Sequence, residues 1–473
     1  MKAAEESMKK NLLILIASLS VAAVALAGCG SAQNATTETI PVVAPSHIAK
    51  VSGRVHGGQQ PVSGSAVYLF AAGSSGYGGP SVSLLNTALP DVFADTKGNG
   101  YVFTDSNGTF AMTGDYTCPS ATAQVYAAAM GGNPGLGAGG SNPNLILMAA
   151  LGPCGSLTSS TFIVINEVTT VASAWALAPF MVDAADVSTS PSNVSGLINA
   201  FAAANELVDT STGNPAGPAL PPGAQLPVAE MNTIANILAT CVNSGGGNAG
   251  DNSPCGNLFS AVTPVSGAAP TDTLVAARSL AQNPVQNAAS LFALSTSTGP
   301  FQPTLSATPT DWTIAIQYTT GGFDVPKSIA IDAQGNAWIA NCGSSNCTTA
   351  GTGSITELSG LGTPVAGPYT AGGLNIPVSV AIDSTGNAWV ANQGGNSITV
   401  LTSAGAPIGS PLTGGGLSVP SSISIDGFGN VWVANVGNSS ISEFSGLGTA
   451  LSPVGGYTNS SGSAPIAIAT SPH

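Results

Sequence analysis

The sequence predicts a multidomain, mainly β protein: an N-terminal β-sandwich, a middle small helical bundle, and a C-terminal incomplete β-propeller of about three blades. Three observations point there. From residue 48 to 155, short β-rich runs alternate with turns rich in Gly, Pro and Asn. From 156 to 300, apolar residues recur at helical spacing. From 308 to 473, one pattern of β-rich runs occurs three times, at a period that suits propeller blades.

The first residues predict export. Lys2, Lys9 and Lys10 precede a charge-free apolar run from Asn11 to Ala27. A positive start, a short apolar stretch and small residues at a cleavage point make a signal peptide. The run is slightly short for a spanning helix, which needs about 20 apolar residues. Glu5 and Glu6 are unusual in such a start, and Met8-Lys9-Lys10 makes a cleaner one. Leu26-Ala27-Gly28-Cys29 then resembles the lipobox of bacterial lipoproteins, in which the cysteine is acylated and becomes the first residue. That resemblance assigns residues 1–28 to the signal peptide and Cys29 to lipidation. Gly30 stands where an Asp resembles an inner-membrane retention signal, so its presence points to the outer membrane of a Gram-negative cell. Residues 29–47, rich in Ser, Ala, Asn and Thr, read as a flexible tether.

Six of the seven cysteines remain after Cys29 is spent on lipid. They fall as Cys118 and Cys154, Cys241 and Cys255, Cys342 and Cys347, one local pair per region, and an exported protein oxidises such pairs to disulfides. No pair has zinc-ligand spacing and no His lies near one, so no metal and no cofactor is expected.

Charged residues make up only 6% of the chain, whose net charge is −14. Loss of the leader removes three lysines and two glutamates and leaves about −15. Nucleic-acid binding rests on Lys and Arg neutralising phosphates, so such a surface excludes it.

In the sandwich region, Val51 to Val55 alternates, Pro61 to Ser65 turns, and Ala66 to Phe70 is β-rich. Tyr101 to Thr104 leads through Asp105-Ser106-Asn107-Gly108 into Thr109 to Met112, a hairpin signal because Asn and Gly tolerate positive φ. The strings VSGRVHGGQQPVSGSAVYLF and TDSNGTF resemble the carboxypeptidase regulatory-like, or transthyretin-like, sandwich. That resemblance covers about half the region and implies a spacer or binding scaffold.

The middle region reads as helices over Asn166 to Leu177, Val194 to Val208, Val228 to Cys241 and Thr271 to Ala281, with another from Pro284 to near Leu294. Ser192 or Asn193 is available as a cap for the second. Nothing in this region suggests a site.

The C-terminal region aligns without gaps over Val325–Asn341 and the segments opening at Ile376-Pro377 and Val419-Pro420. Their aspartates, Asp332, Asp383 and Asp426, are 51 and then 43 residues apart, the excess falling in the loop that holds Cys342 and Cys347. A further β-rich run follows each segment, at Ile355, Ile398 and Ile441. The pattern P-x-x-I-A-I-D-x-x-G-N-x-W-V-A-N resembles NHL-type repeats and the related streptogramin-lyase-like propellers. Such propellers have about six blades, so three full modules with strand material on either side imply an open arc. Pro465 opens a fourth repeat, with Ser471 where the others carry Asp. The arc is expected to leave an exposed edge near 463–473, closed in an oligomer or by sequence beyond this chain.

Within the repeats, the aspartates suit turn geometry, since each can bond the backbone of its Asp-x-x-Gly-Asn turn. Calcium would need several more oxygens. Trp338, Trp389 and Trp432 read as packing between blades, with a ligand platform as the alternative. Asn341, Asn392 and Asn435 end equivalent strands and are the candidates for a polar ring at the propeller face, strand-end capping being the other reading.

Catalytic motifs do not emerge. His47, His56 and His473 all lie outside the repeats, and streptogramin lyases depend on propeller His and Glu residues. There is no GxSxG, HExxH or P-loop. The expected function is therefore a binding scaffold without catalytic activity, anchored in the cell envelope and engaging a protein or glycan partner. The alternative is a lyase or hydrolase built from propeller loops.

Overall fold

In the computed structural model, which describes residues 50–471 apart from 59, 113–115, 296–297, 345 and 459–462, the N-terminal strands form two facing sheets. The first is built on Val51–Gly57, paired antiparallel with Thr109–Met112 and parallel with Phe162–Ile165. The second places Ala66–Ala71 between Gly100–Phe103 and Gln124–Met130, with Ile146–Pro153 beyond the latter. Val51, Val55, Ile163 and Ile165 meet Val67, Leu69, Val125, Ala127 and Leu147 in one core. Alternate residues of a strand point to opposite faces, and these sit on the shared one. Residues 1–49, which hold the expected signal peptide, Cys29 and the expected tether, lie outside the described residues.

Two expectations need correction here. Phe162–Ile165 belongs to the sandwich although it lies past the Gly155 boundary read from the sequence. The Asp105–Gly108 turn does form, with Asp105 accepting from Asn107 N and Thr109 N, but its flanking strands enter different sheets. The turn is a crossover between layers, not a hairpin.

The helical region is a further correction. It is not a bundle with its own core but a third layer on the sandwich. Its helices are α1 (Glu167–Leu177), α2 (Val194–Leu207), α3 (Val228–Val242), α4 (Pro254–Val262), α5 (Thr273–Gln282) and α6 (Ala288–Phe292). They pack Val168, Val171, Phe201, Ile234 and Leu274 against Tyr68, Phe70, Tyr126, Ala128 and Met148, the second face of the second sheet. Each large side chain moved into that layer contributes roughly 1.5–3 kcal/mol. The sheet is thus covered on both faces, and its strands are accordingly apolar at nearly every position. Buried hydroxyls join the layers: Thr170 Oγ1 and Ser173 Oγ accept from Met148 N and Ala150 N, both at 3.0 Å.

The helix termini follow capping chemistry. Asn166 and Thr169 exchange bonds as a capping box at α1, and Asp272 accepts from Val275 N at 2.9 Å to cap α5. The Ser253 cap and Pro254 at the first helical position start α4, a helix not anticipated from the sequence. The three disulfides Cys118–Cys154, Cys241–Cys255 and Cys342–Cys347 are formed, with Cα separations of 5.9, 4.3 and 5.2 Å.

The C-terminal region forms three successive antiparallel modules. Blade 1 runs Pro326–Ile331, Ala337–Asn341, Ser354–Leu358, Pro364–Tyr369. Blade 2 runs Pro377–Ile382, Ala388–Asn392, Ser397–Leu401, completed by bridges from Leu412 and Pro407. Blade 3 runs Pro420–Ile425, Val431–Asn435, Ser440–Phe444, Tyr457–Thr458. Inner strands of neighbouring blades are stitched side by side: Val380 N donates to Ser328 Oγ at 3.4 Å, and Ile423 N to Ser379 Oγ at 3.2 Å. The array is docked to the helical layer through Tyr318, whose hydroxyl donates to Glu206 Oε2 at 2.9 Å, and through Trp312, buried in the helical core.

Candidate functional site

Each repeat builds the same local circuit. In blade 2, Asp383 Oδ1 accepts from Thr385 N and Asn387 N, both at 2.9 Å, and Oδ2 accepts from Asn387 Nδ2 at 3.0 Å and Trp389 Nε1 at 2.9 Å. Asp332 holds Trp338 Nε1 at 3.1 Å and Asp426 holds Trp432 Nε1 at 2.9 Å in the same way. Burial pushes the Asp383 carboxyl up, but the indole and the turn donors outweigh it and hold the group below its ordinary value. The Asp426 carboxyl is also held down, first by the Trp432 indole. The aspartates therefore close the turn and aim the tryptophan.

The asparagines do not form a polar ring open to a ligand. Asn392 Oδ1 accepts from Asn375 N at 3.2 Å, and its Nδ2 donates to Ser397 Oγ and Thr399 Oγ1 at 3.3 and 2.9 Å. Asn341 and Asn435 repeat this clasp on Asp324 N and Ser418 N, and all three are fully buried. An amide with both ends bonded inside its own blade fixes the strand entering the repeat and has nothing left for a partner.

The tryptophans separate into two environments. Trp338 and Trp389 are 0% and 2% exposed. Trp338 packs against Val380, Ala388 and Val390 of blade 2, and Trp389 against Ile423, Val431 and Val433 of blade 3. Trp432 occupies the same position in blade 3, and among the described residues no blade follows. It is half-buried and lines a cleft of about 620 Å³ with Ile441, Tyr457 and Pro465. Tyr457 lies with its ring centroid 6.3 Å from Trp432 and donates its hydroxyl to Glu443 Oε2 at 2.9 Å. At the other end of the array, blade 1 exposes Ile329 to 62%, whereas the equivalent Val380 and Ile423 are 5% and 6% exposed.

Other chemistry lies outside the repeats. Arg54 and His56 alternate on the outer side of the first sheet and line a cavity of about 280 Å³ with Asn166, Thr212 and Asn214. Burial, then the Arg54 charge, lowers the His56 pKa. Glu167 is fully buried at the start of α1 and takes Gly58 N between its two oxygens at 2.8 and 2.9 Å. Burial pushes its carboxyl up to about 8, and that of buried Glu206 to about 7. Sequence reasoning missed both acids. Glu167 is spaced like an ordinary exposed first-turn acid, and only the three-layer packing buries it. It also missed Tyr457, although blade 1 repeats it: Tyr369 donates its hydroxyl to Glu357 Oε2 at 2.7 Å and lies with its ring centroid 5.7 Å from Trp338. Among the described residues no cluster of His, Cys, Asp and Glu could hold a metal ion, and no helix is long and apolar enough to cross a membrane.

No protein-family model and no curated protein sequence matches this chain. Similar solved structures include an inactive virginiamycin B lyase of Staphylococcus aureus with quinupristin, at 17% identity over 29% of this chain and 44% of that one, TM-score 0.22. A calcium-binding regucalcin of Agrobacterium tumefaciens is 16% identical over 30% and 48%, TM-score 0.23. A chain of a nidogen/laminin complex is 15% identical over 33% and 56%, TM-score 0.27. The chain thus spans about half the length of these structures. At such TM-scores the likeness assigns neither fold nor activity, and the blade description rests on this chain's own strands.

Proposed function

We propose that this protein is an exported binding scaffold, anchored to the cell envelope through lipid on Cys29, whose propeller blades engage a protein or glycan. The observation that supports this reading is the open face of blade 3. An apolar cleft of this size, with an aromatic pair at its wall and polar groups at its rim, has the make-up of a ligand site. The same wall in blades 1 and 2 is covered by the next blade, and among the described residues none covers it in blade 3. The sandwich and helical layers then serve as the rigid base between tether and blades.

A photo-crosslinking residue at Ser439, on the rim of the cleft, tests the reading in bacterial cells that export the full chain. An adduct with an envelope protein or glycan is expected at Ser439, and none at Ser403, an exposed turn residue of blade 2. No adduct at Ser439, or equal labelling at both positions, overturns it.

A further inference from the structure

The helical layer covers only part of the sheet face it packs on. It buries Tyr126, Ala128 and Met148, whereas among the described residues the Gly100–Phe103 side of that face is open. Phe93 and Phe103 are 47% and 48% exposed there, and Tyr101 is half-buried. Phe93 pairs with Tyr101 and Tyr101 with Tyr68, so strand alternation puts Phe93, Tyr101 and Phe103 on the face that carries Tyr68 and Phe70. The centroids of the three outer rings are 5.1 to 5.8 Å apart, and Tyr101 lies 5.2 Å from Tyr68.

Beside these rings a cavity of about 240 Å³ opens between the Asp95–Asn99 turn, the Asp183–Ala185 turn and Asp272 at the start of α5, with Phe70 and Met130 in its walls. Its polar groups are fixed by the fold. Asp95 Oδ1 accepts from Lys97 N and Asn99 N, both at 2.8 Å, and Oδ2 from Asn99 Nδ2 at 3.0 Å. Asp183 accepts from Ala185 N at 2.8 Å and Asp272 from Val275 N at 2.9 Å. A carboxylate has roughly four acceptor positions, so Asp183 and Asp272 keep capacity for further donors. Tyr68 stands on the same face between Phe70 and the Ala66–Met130 pair, which places it under the cavity. It is 6% exposed, and among the described residues its hydroxyl has no hydrogen-bond partner. Burial, then the Asp95 charge, pushes that phenol up to about 12, so it stays a neutral donor. A buried hydroxyl without a partner marks a place where a bound group supplies one.

These features select one chemistry. A pyranose carries C–H groups on its faces and hydroxyls around its rim, so it lies on aromatic rings while its hydroxyls reach polar groups beside them. The charged groups at the cavity are Asp95, Asp183, Asp186 and Asp272 against Lys97 and Arg278, an acidic excess that repels uronates, sulfates and phosphates.

We propose that this open strip of the sandwich, from Phe93 and Phe103 to the cavity between Asp95, Asp183 and Asp272, binds a neutral glycan. Its sugar rings lie on the exposed phenylalanines, and its hydroxyls donate to the carboxylates and accept from Tyr68 and Lys97. The site is separate from the cleft of blade 3 and goes beyond the reading above.

Isothermal titration calorimetry of the mature full chain tests it, with maltohexaose, cellohexaose and N-acetylchitohexaose as neutral probes and hexagalacturonate as the anionic control. Saturable binding is expected for at least one neutral probe and none for the control. Phe93→Ala combined with Phe103→Ala should weaken that binding at least tenfold; both rings are about half exposed, so the core beneath them stays packed. Asp183→Asn keeps an acceptor for Ala185 N and so preserves the turn, and it should weaken binding at least threefold with thermal unfolding unchanged. Absence of binding by every neutral probe overturns the proposal, as does equal binding of hexagalacturonate or binding that the double substitution leaves unchanged. Binding that Trp432→Ala abolishes and the double substitution does not places the glycan at blade 3, which overturns this site and leaves the scaffold reading standing.

Discussion

Trp389 and Trp432 hold the same repeat position and the same aspartate bond, so truncating each isolates the contribution of the neighbouring blade. A tryptophan side chain buries roughly 150–250 Å², and at about 25 cal/mol per Å² that is about 4–6 kcal/mol. Core aromatic-to-alanine changes cost about 3–5 kcal/mol once relaxation is included. Trp389 is 2% exposed between two blades, so Trp389→Ala should cost about 4 kcal/mol. Its partner Asp383 keeps the Thr385 and Asn387 donors and is not stranded. Trp432 is half-buried, with one side on the cleft, so Trp432→Ala should cost about half as much, roughly 2 kcal/mol. Guanidinium unfolding followed by far-UV circular dichroism reads both, because the signal does not depend on the deleted indole. Equal losses at the two positions would refute the reasoning, since they would mean that Trp432 is covered like the others.

Three further outcomes follow from the same packing. Burial lifts the Glu167 carboxyl from 4.5 to about 8, so the folded protein keeps a proton that the unfolded chain releases above about pH 4.5. Stability should therefore fall as pH rises from 4.5 to 8, by up to about 5 kcal/mol, and Glu167→Gln should flatten that slope; an unchanged slope in the variant refutes the assignment. Loss of the Cys241–Cys255 bridge, which closes a separation of 14 residues, should cost about 3 kcal/mol in thermal unfolding, and peptide mapping without reduction should find all three pairs oxidised. Cys29→Ala should shift the protein from the membrane to a soluble or uncleaved form, and unchanged fractionation would sink the lipid anchor.

The repeats were legible in the sequence because one local circuit is used three times. Asp, Gly, Asn and Trp recur at fixed offsets, and the turn, the indole bond and the clasp all lie within a few residues of each other. The cysteine pairs were legible because one pair falls in each region, at separations of 36, 14 and 5 residues. What escaped were long-range relations. The strands Ala66–Ala71 and Gln124–Met130 are apolar at consecutive positions, the mark of a sheet covered on both faces. Their meaning depends on helices that begin only at Glu167, so the helical region read as a separate bundle. The Asn107-Gly108 turn was correctly placed, yet turn chemistry fixes a reversal of the chain and not the sheet each arm joins. Of the two readings of Asn341, Asn392 and Asn435, the structure shows strand-end capping, and the sequence leaves both open because an asparagine at a strand end reads the same whether its amide faces a ligand or the backbone and hydroxyls of its own blade. Burial, which distinguishes the two, belongs to the assembled blade.

The open face of blade 3 is best tested by 19F NMR of the mature chain carrying 5-fluorotryptophan, each resonance assigned by single substitution. A soluble paramagnetic agent should broaden the Trp432 signal while leaving Trp338 and Trp389 sharp. If Trp432 is as shielded as the other two, the face is covered and the proposed ligand site beside it is wrong.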